Sequence, residues 1–186
     1  MKKTAVMIDR DGTMGGDTSG GNFRTPADYR PFPGTREAFS LLRAHGIAAI
    51  IVTNQSCIAR GLDGGYDFAA EFRDIGAADW FICPHDKQDG CTCRKPATGL
   101  IEQARDKYGL DLSRCYMVGD RWSDMAAGGR MGMRLLPVRT GFGKETLGRD
   151  RALWAAYQPA YIAEDLLDAV KWIIRREETS ENQAMR

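Results

Sequence analysis

The sequence predicts a Rossmann-like, doubly wound α/β fold with a mostly parallel sheet and no large cap domain. Short apolar runs rich in β-branched residues alternate with stretches of helical period along the whole chain, without internal repeat. Several of those runs stop at a polar residue followed by glycine or a hydroxyl, as buried strands do at the rim of a parallel sheet. Only short insertions separate the elements, which leaves no room for a second large unit. The 186 residues, 43% hydrophobic and 27% charged, suit one compact domain, expected over 1–175, with a polar, frayed tail over 176–186.

Lys3 to Ile8 reads as a buried strand, and Met14 to Tyr29, rich in Gly, Thr, Ser and Asp, as a loop. Thr35 is a candidate N-cap for a helix whose apolar residues are Ala38, Leu41, Leu42 and Ala44 and which Gly46 stops. Ile47 to Val52 is a continuous apolar strand leading into Thr53-Asn54-Gln55-Ser56. Cys57 to Gly65 is Gly-rich and irregular, Tyr66 to Ile75 is a short helix, and Trp80 to Cys83 a third strand. Pro84 to Pro96 is too polar for regular structure. Thr98 to Tyr108 is a helix, Tyr116 to Val118 a strand ending at Gly119-Asp120, Ser123 to Met131 a helix, and Met133 to Val138 a strand. Arg139 to Gly148 reads as a loop and Ala160 to Ile162 as a last short strand. The chain closes on an amphipathic helix, Glu164 to Arg175, whose Leu166, Leu167, Val170, Ile173 and Ile174 form a face for packing on the sheet.

A net charge of +1 gives no footprint for nucleic acid. Asp9 interrupts the first apolar run, so neither a signal peptide nor a membrane span is expected there. Five cysteines without a secretory signal point to thiols and metal rather than disulfides, hence to the cytoplasm. A monomer is expected.

The first strand delivers Asp9 and Asp11 in Asp9-Arg10-Asp11-Gly12-Thr13. Alone, such a turn is most often solvated surface. As chemistry, one carboxylate is a nucleophile toward phosphorus, the second protonates the leaving oxygen and then activates water, and Mg²⁺ neutralises the gathered charge. Three later stretches favour the chemistry: Thr53-Asn54 at a strand end, Lys95 before a helix, and Asp120 in Gly119-Asp120-Arg121-Trp122-Ser123-Asp124. In that order the four stretches resemble the haloacid dehalogenase superfamily of phosphohydrolases. The resemblance implies Asp9 as nucleophile, Asp11 as acid/base, Thr53 and Lys95 on the phosphoryl oxygens, and Mg²⁺ held by Asp9, Asp120 and the Asp11 carbonyl. It leaves Asp124 between a supporting role and a helix N-terminal charge.

Cys83, His85, Cys91 and Cys93 give Cys-x-His-x₅-Cys-x-Cys, four donors suited to a closed structural Zn²⁺ site. That loop would fix Arg94 and Lys95 over the site. Together with Ile58-Ala59-Arg60-Gly61 and Val138-Arg139-Thr140-Gly141, it resembles the subgroup containing heptose bisphosphate and histidinol-phosphate phosphatases. The partner implied is a phosphorylated sugar, touched by Asp17, Thr18, Ser19, Gly20, Thr53, Asn54, Gln55, Ser56, Arg94 and Lys95. The x₅ spacing matches the histidinol-phosphate type, and Cys57 stands where heptose enzymes have glycine. Histidinol phosphate is therefore the alternative substrate. A 3′-phosphatase on nucleic acid ends and a non-catalytic zinc-organised binding module are the remaining alternatives. Trp122 is a pocket or packing residue, and His45 a cap or solvent-facing one.

Overall fold

The computed structural model describes residues 4–17 and 25–184. Its centre is β1 (Ala5–Ile8), buried at every position. The chain continues through β2 (Gly15–Asp17), β3 (Tyr29–Pro31), α1 (Thr35–Ala44), β4 (Ala48–Asn54), α2 (Ser56–Ala59), α3 (Phe68–Ile75) and β5 (Asp79–Cys83). Then follow α4 (Gly99–Tyr108), β6 (Tyr116–Gly119), α5 (Trp122–Arg130), β7 (Arg134–Pro137), α6 (Gly143–Leu147) and α7 (Leu166–Ala184). Five strands make one sheet in the order β5-β4-β1-β6-β7, with every pairing parallel. The chain leaves β1 first for β4 and later for β6, so the order reverses at β1. Ligand sites of open parallel sheets lie outside the strand C-termini at that point.

The strand period of two divides the core. Val6 and Ile8 face α1, α3 and α7 through Phe39, Leu42, Phe72, Val170 and Ile173. Ala5 and Met7 face α4 and α5 through Leu100, Ile101, Met125 and Ala126. Both faces are covered, which is why the strands read as unbroken apolar runs. The expected face of α7 is used for this packing, with Leu166, Val170, Ile173 and Ile174 buried.

Several elements differ from the sequence expectation. Part of Met14 to Tyr29 is not loop: β2 and β3 pair antiparallel as a separate ribbon, Gly15 opposite Pro31 and Asp17 opposite Tyr29. A Cβ at Gly15 would lie 2.3 Å from the Arg30 carbonyl, so the glycine that looks like a loop signal is what lets the ribbon close. Gly34, at φ 84°, caps α1, while the Thr35 hydroxyl donates to the Met14 carbonyl at 2.6 Å. Cys57 and Ile58 lie in the short helix α2, and the loop after Arg139 contains α6. Ala160 to Ile162 is not a strand. Beside β7 the chain makes only the isolated bridges Leu135–Pro159 and Val138–Ala163. Pro137 and Pro159 lack the N–H groups a continuous ladder needs. The tail expected to fray from Arg176 instead continues α7 to Ala184. Glu177 ties it down by accepting from the Tyr116 hydroxyl and from Arg134 Nη1. Among the described residues no helix is long and apolar enough to cross a membrane.

Candidate active site

The strand ends bring together residues that are far apart in sequence. Ile8 pairs with Ile51 on one side and with Val118 on the other. Asp9, one residue on, therefore sits between the exits of β4 and β6, near Thr53 and Asp120. The Asp9 amide donates to the Val118 carbonyl at 3.0 Å, which fixes the turn. Lys95 arrives from the segment before α4. Its ammonium donates to Asp9 Oδ1 at 2.5 Å and to the Val52 carbonyl at 2.7 Å, and pairs with Asp124 Oδ1 at 2.6 Å. Asp9, Lys95, Asp120 and Asp124 are all buried.

Three buried carboxylates around one ammonium leave negative charge in excess. Burial opposes the Lys95 charge, but Asp124 and then Asp9 outweigh it and hold its pKa above the usual value. Burial, Asp9 and Asp124 together push Asp120 well up. Burial also pushes Asp124 up, to about 6, with Lys95 pulling the other way. Oxygens of Asp9, Asp120 and Asp124 lie within 4.8 Å of one another. Such a set of hard oxygen donors with uncompensated charge fits a divalent cation. The Asp11 carboxylate is outside this group.

The backbone gives way around Asp120. A Cβ on Gly12 would lie 2.1 Å from Asp120 Oδ2, and one on Gly141 2.2 Å from it. Gly12 and Gly141 have φ of 93° and 55°, so the close approach and the left-handed backbone both call for glycine. The Phe142 amide donates to Asp120 Oδ2 at 2.8 Å, and Thr13 Oγ1 to Oδ1 at 3.3 Å. The carboxylate is thus aimed before any ion arrives.

Asp11 is held differently. Arg10 Nη1 donates to its Oδ1 at 2.6 Å and Gln55 Nε2 to its Oδ2 at 2.7 Å. Burial raises its pKa, more than the neighbouring Arg10 lowers it. Its side chain keeps 23% exposure toward the cleft. Gln55 Nε2 also donates to Thr53 Oγ1 at 2.8 Å, so Gln55 links the expected acid to the expected phosphate hydroxyl.

A cleft of about 690 Å³ opens over these groups, lined by Asp9, Asp11, Asn54, Lys95, Arg94 and Trp122 among others. Trp122 thus takes the pocket position rather than a purely packing one. Asn54 clamps the Lys95 backbone in both directions: its Nδ2 donates to the Lys95 carbonyl at 3.1 Å and its Oδ1 accepts the Lys95 amide at 3.0 Å. Arg94 Nη1 donates to Ser56 Oγ at 2.6 Å and to the His85 carbonyl at 3.2 Å. Of the remaining expected substrate contacts, Asp17 ends β2. Thr18, Ser19 and Gly20 lie outside the described residues.

Cys83, His85, Cys91 and Cys93 converge. Cys83 Sγ lies 3.6 Å from both His85 Nδ1 and Cys91 Sγ, His85 Nδ1 lies 3.2 Å from Cys93 Sγ, and the sulfurs of Cys91 and Cys93 are 3.5 Å apart. A tetrahedral ion with bonds of about 2.3 Å needs donor–donor edges of roughly 3.8 Å, so the four atoms fit Zn²⁺ with little movement. His45, as expected, caps α1, with Nδ1 2.9 Å from the Leu41 carbonyl at an exposed site.

The sequence undervalued Asp124. It does serve its helix, accepting the Arg121 amide at 3.0 Å, but its other oxygen faces Lys95. The available signal was a second acid four residues beyond Asp120, in the first turn of α5. Glu71, which binds Arg10 at 2.6 Å, carried no signal at all.

Residues 92–169 match the family model described as HAD-hydrolase-like. Over 161 residues the chain is 35% identical to the D-glycero-beta-D-manno-heptose-1,7-bisphosphate 7-phosphatase of Pseudomonas aeruginosa, covering 80% of this chain and 88% of that protein. It is 34% identical over 185 residues to the Salmonella typhi protein of the same name, covering 90% and 95%. Among solved structures, D,D-heptose 1,7-bisphosphate phosphatase from B. bronchiseptica complexed with magnesium and phosphate superposes with a TM-score of 0.78. That pair is 28% identical and covers 94% of this chain and 99% of the other.

Proposed function

This chain belongs to the haloacid dehalogenase-like family and is a phosphoric monoester hydrolase, and on that premise we propose that it converts D-glycero-D-manno-heptose 1,7-bisphosphate to the heptose 1-phosphate through an aspartyl-phosphate on Asp9. The observation that carries the chemistry is the buried Asp9, with one oxygen on Lys95. The substrate is supported by the names and coverage of the relatives.

In this reading an Asp9 oxygen attacks the phosphorus while the ester P–O bond breaks. The proton of the Asp11 carboxyl passes to the leaving sugar oxygen. In the second step water attacks the phosphoryl group, gives its proton to Asp11, and the Asp9–phosphorus bond breaks to release phosphate. Thr53 and Lys95 hold the phosphoryl oxygens, and Asp124 keeps the Lys95 ammonium in place. Mg²⁺ held by Asp9, Asp120 and the Asp11 carbonyl would supply positive charge facing the phosphoryl oxygens. Zn²⁺ on Cys83, His85, Cys91 and Cys93 would be structural, because all four positions are filled by protein. Arg94, Asn54, Gln55 and Ser56 form the substrate rim in this reading.

Histidinol phosphate is the second reading, favoured by the five residues between His85 and Cys91. The deciding experiment compares kcat/KM on the two compounds. A clear preference for the heptose bisphosphate supports the first reading, and a preference for histidinol phosphate replaces it.

A further inference from the structure

Arg10 lies between the two expected catalytic acids in sequence, yet it is only 1% exposed and reaches back to α3. A buried guanidinium must find partners for its whole fork. Glu71, on α3 and 61 residues away, takes two of them: Nε donates to its Oε1 at 2.9 Å and Nη2 to its Oε2 at 2.6 Å. The Tyr66 hydroxyl donates to the same Oε2 at 2.7 Å. The Tyr29 ring covers the guanidinium, with its centroid 3.9 Å from Cζ, and the Phe68 ring lies at 5.2 Å. A bidentate carboxylate and a stacked ring together fix the plane of the fork. Nη2 also donates to the Pro26 carbonyl at 3.5 Å, and Nη1 donates to Asp11 Oδ1 at 2.6 Å.

We propose that Glu71 is a positioning residue for the hydrolysis: through Arg10 it aims the Asp11 carboxyl at the leaving oxygen. The inference rests on the reading of Asp11 as the acid. A purely structural ion pair would have no reason to commit Nη1 to that carboxyl. Without Glu71 the guanidinium is free to turn and to engage Asp11 with two N–H groups, which would draw the carboxyl out of the cleft. Gln55, on the other Asp11 oxygen, cannot resist this alone, because its single amide is shared with Thr53.

The test reads the dependence of kcat/KM on the leaving group, since a nitrophenolate departs unaided whereas an alkoxide needs the proton. Wild type, Glu71→Gln and Asp11→Asn are assayed on p-nitrophenyl phosphate, phenyl phosphate and a sugar phosphate. The expectation for Glu71→Gln is a loss of about tenfold or more on the sugar phosphate and of about twofold or less on p-nitrophenyl phosphate, a fraction of the general-acid contribution. Asp11→Asn should show the same slope more steeply. A uniform loss for Glu71→Gln across the series, or no loss, overturns the positioning role if Asp11→Asn keeps its slope. If Asp11→Asn itself shows no slope, the reading of Asp11 as the acid fails instead. Should Glu71→Gln not fold, Arg10→Lys takes its place. It keeps a cation but not the fork, and the same slope is expected; a flat series for it overturns the proposal equally.

Discussion

Two regions meet in the cleft and are built on opposite principles. The centre, formed by Asp9, Lys95, Asp120 and Asp124, hangs from the ends of buried parallel strands and the entries of α4 and α5. Its charges are desolvated; sheet register places Asp9 and Asp120, and hydrogen bonds and ion pairs place Lys95 and Asp124. The rim between Cys83 and Arg94 has no regular structure beyond one short 3₁₀ turn, Lys87–Asp89. It is held by four metal-type donors and by hydrogen bonds such as Arg94 to Ser56. Strand ends in a buried sheet are costly to alter, whereas a loop outside the sheet can change length without disturbing the core. In the proposed function the reaction belongs to the rigid part and molecular choice to the replaceable part.

The sharpest way to break that division is Asp9→Asn. Turnover should fall by at least about 10⁴-fold, the scale for loss of a nucleophile, with circular dichroism unchanged. Wild-type turnover in this variant would end the account. Lys95→Met should cost about 10³-fold in kcat, on the scale of a lost transition-state charge contact. It should also destabilise the metal-free fold by about 3–5 kcal/mol, because three buried acids lose their counter-charge. A variant that loses activity but unfolds at the wild-type denaturant concentration would show that the centre is not electrostatically strained.

Perturbing the rim should act more on stability than on chemistry. Purified protein should carry roughly one equivalent of zinc, by the four-donor logic of closed sites. Stripping it should lower Tm by on the order of 10 °C, the equivalent of about 3 kcal/mol for a chain of this size. An unchanged Tm, or metal analysis showing no zinc, would remove the clip from the account.

A smaller effect links the centre to pH. Asp120 and Asp124 have raised pKa values in the folded state, that of Asp124 at about 6. A carboxyl raised by folding binds more protons folded than unfolded. The metal-free protein should therefore lose stability as pH rises from the ordinary aspartate range, ~4, through 6. Mg²⁺ must displace those protons, so its Tm gain should be larger at pH 7 than at pH 5. An equal gain at both values would argue against carboxylate ligation there.

Much of the centre was legible because each of its strands ends in an apolar run broken by one polar residue: Ile8 before Asp9, Val52 before Thr53, Gly119 before Asp120. The four zinc-type donors were legible from spacing alone. What escaped depended on tertiary register. Nothing near Glu71 in sequence points to Arg10, and Asp124 stays open between a supporting role and a helix charge until Lys95 is seen beside it. The β2–β3 ribbon hid behind glycines chosen for close backbone approach. The extension of α7 hid in polar residues that are helical because Glu177 reaches Tyr116 and Arg134. The failed strand at 160–162 was marked by Pro137 and Pro159, whose missing donors are visible in the sequence once a partner is known.

The division between centre and rim is tested most directly by Arg94→Met, assayed on heptose 1,7-bisphosphate and on p-nitrophenyl phosphate. On the sugar bisphosphate kcat/KM should fall by about 10²-fold, a loss of about 2.7 kcal/mol of binding in the transition state, with p-nitrophenyl phosphate within about threefold of wild type. Equal losses on both substrates would place Arg94 in the reaction itself and contradict the division.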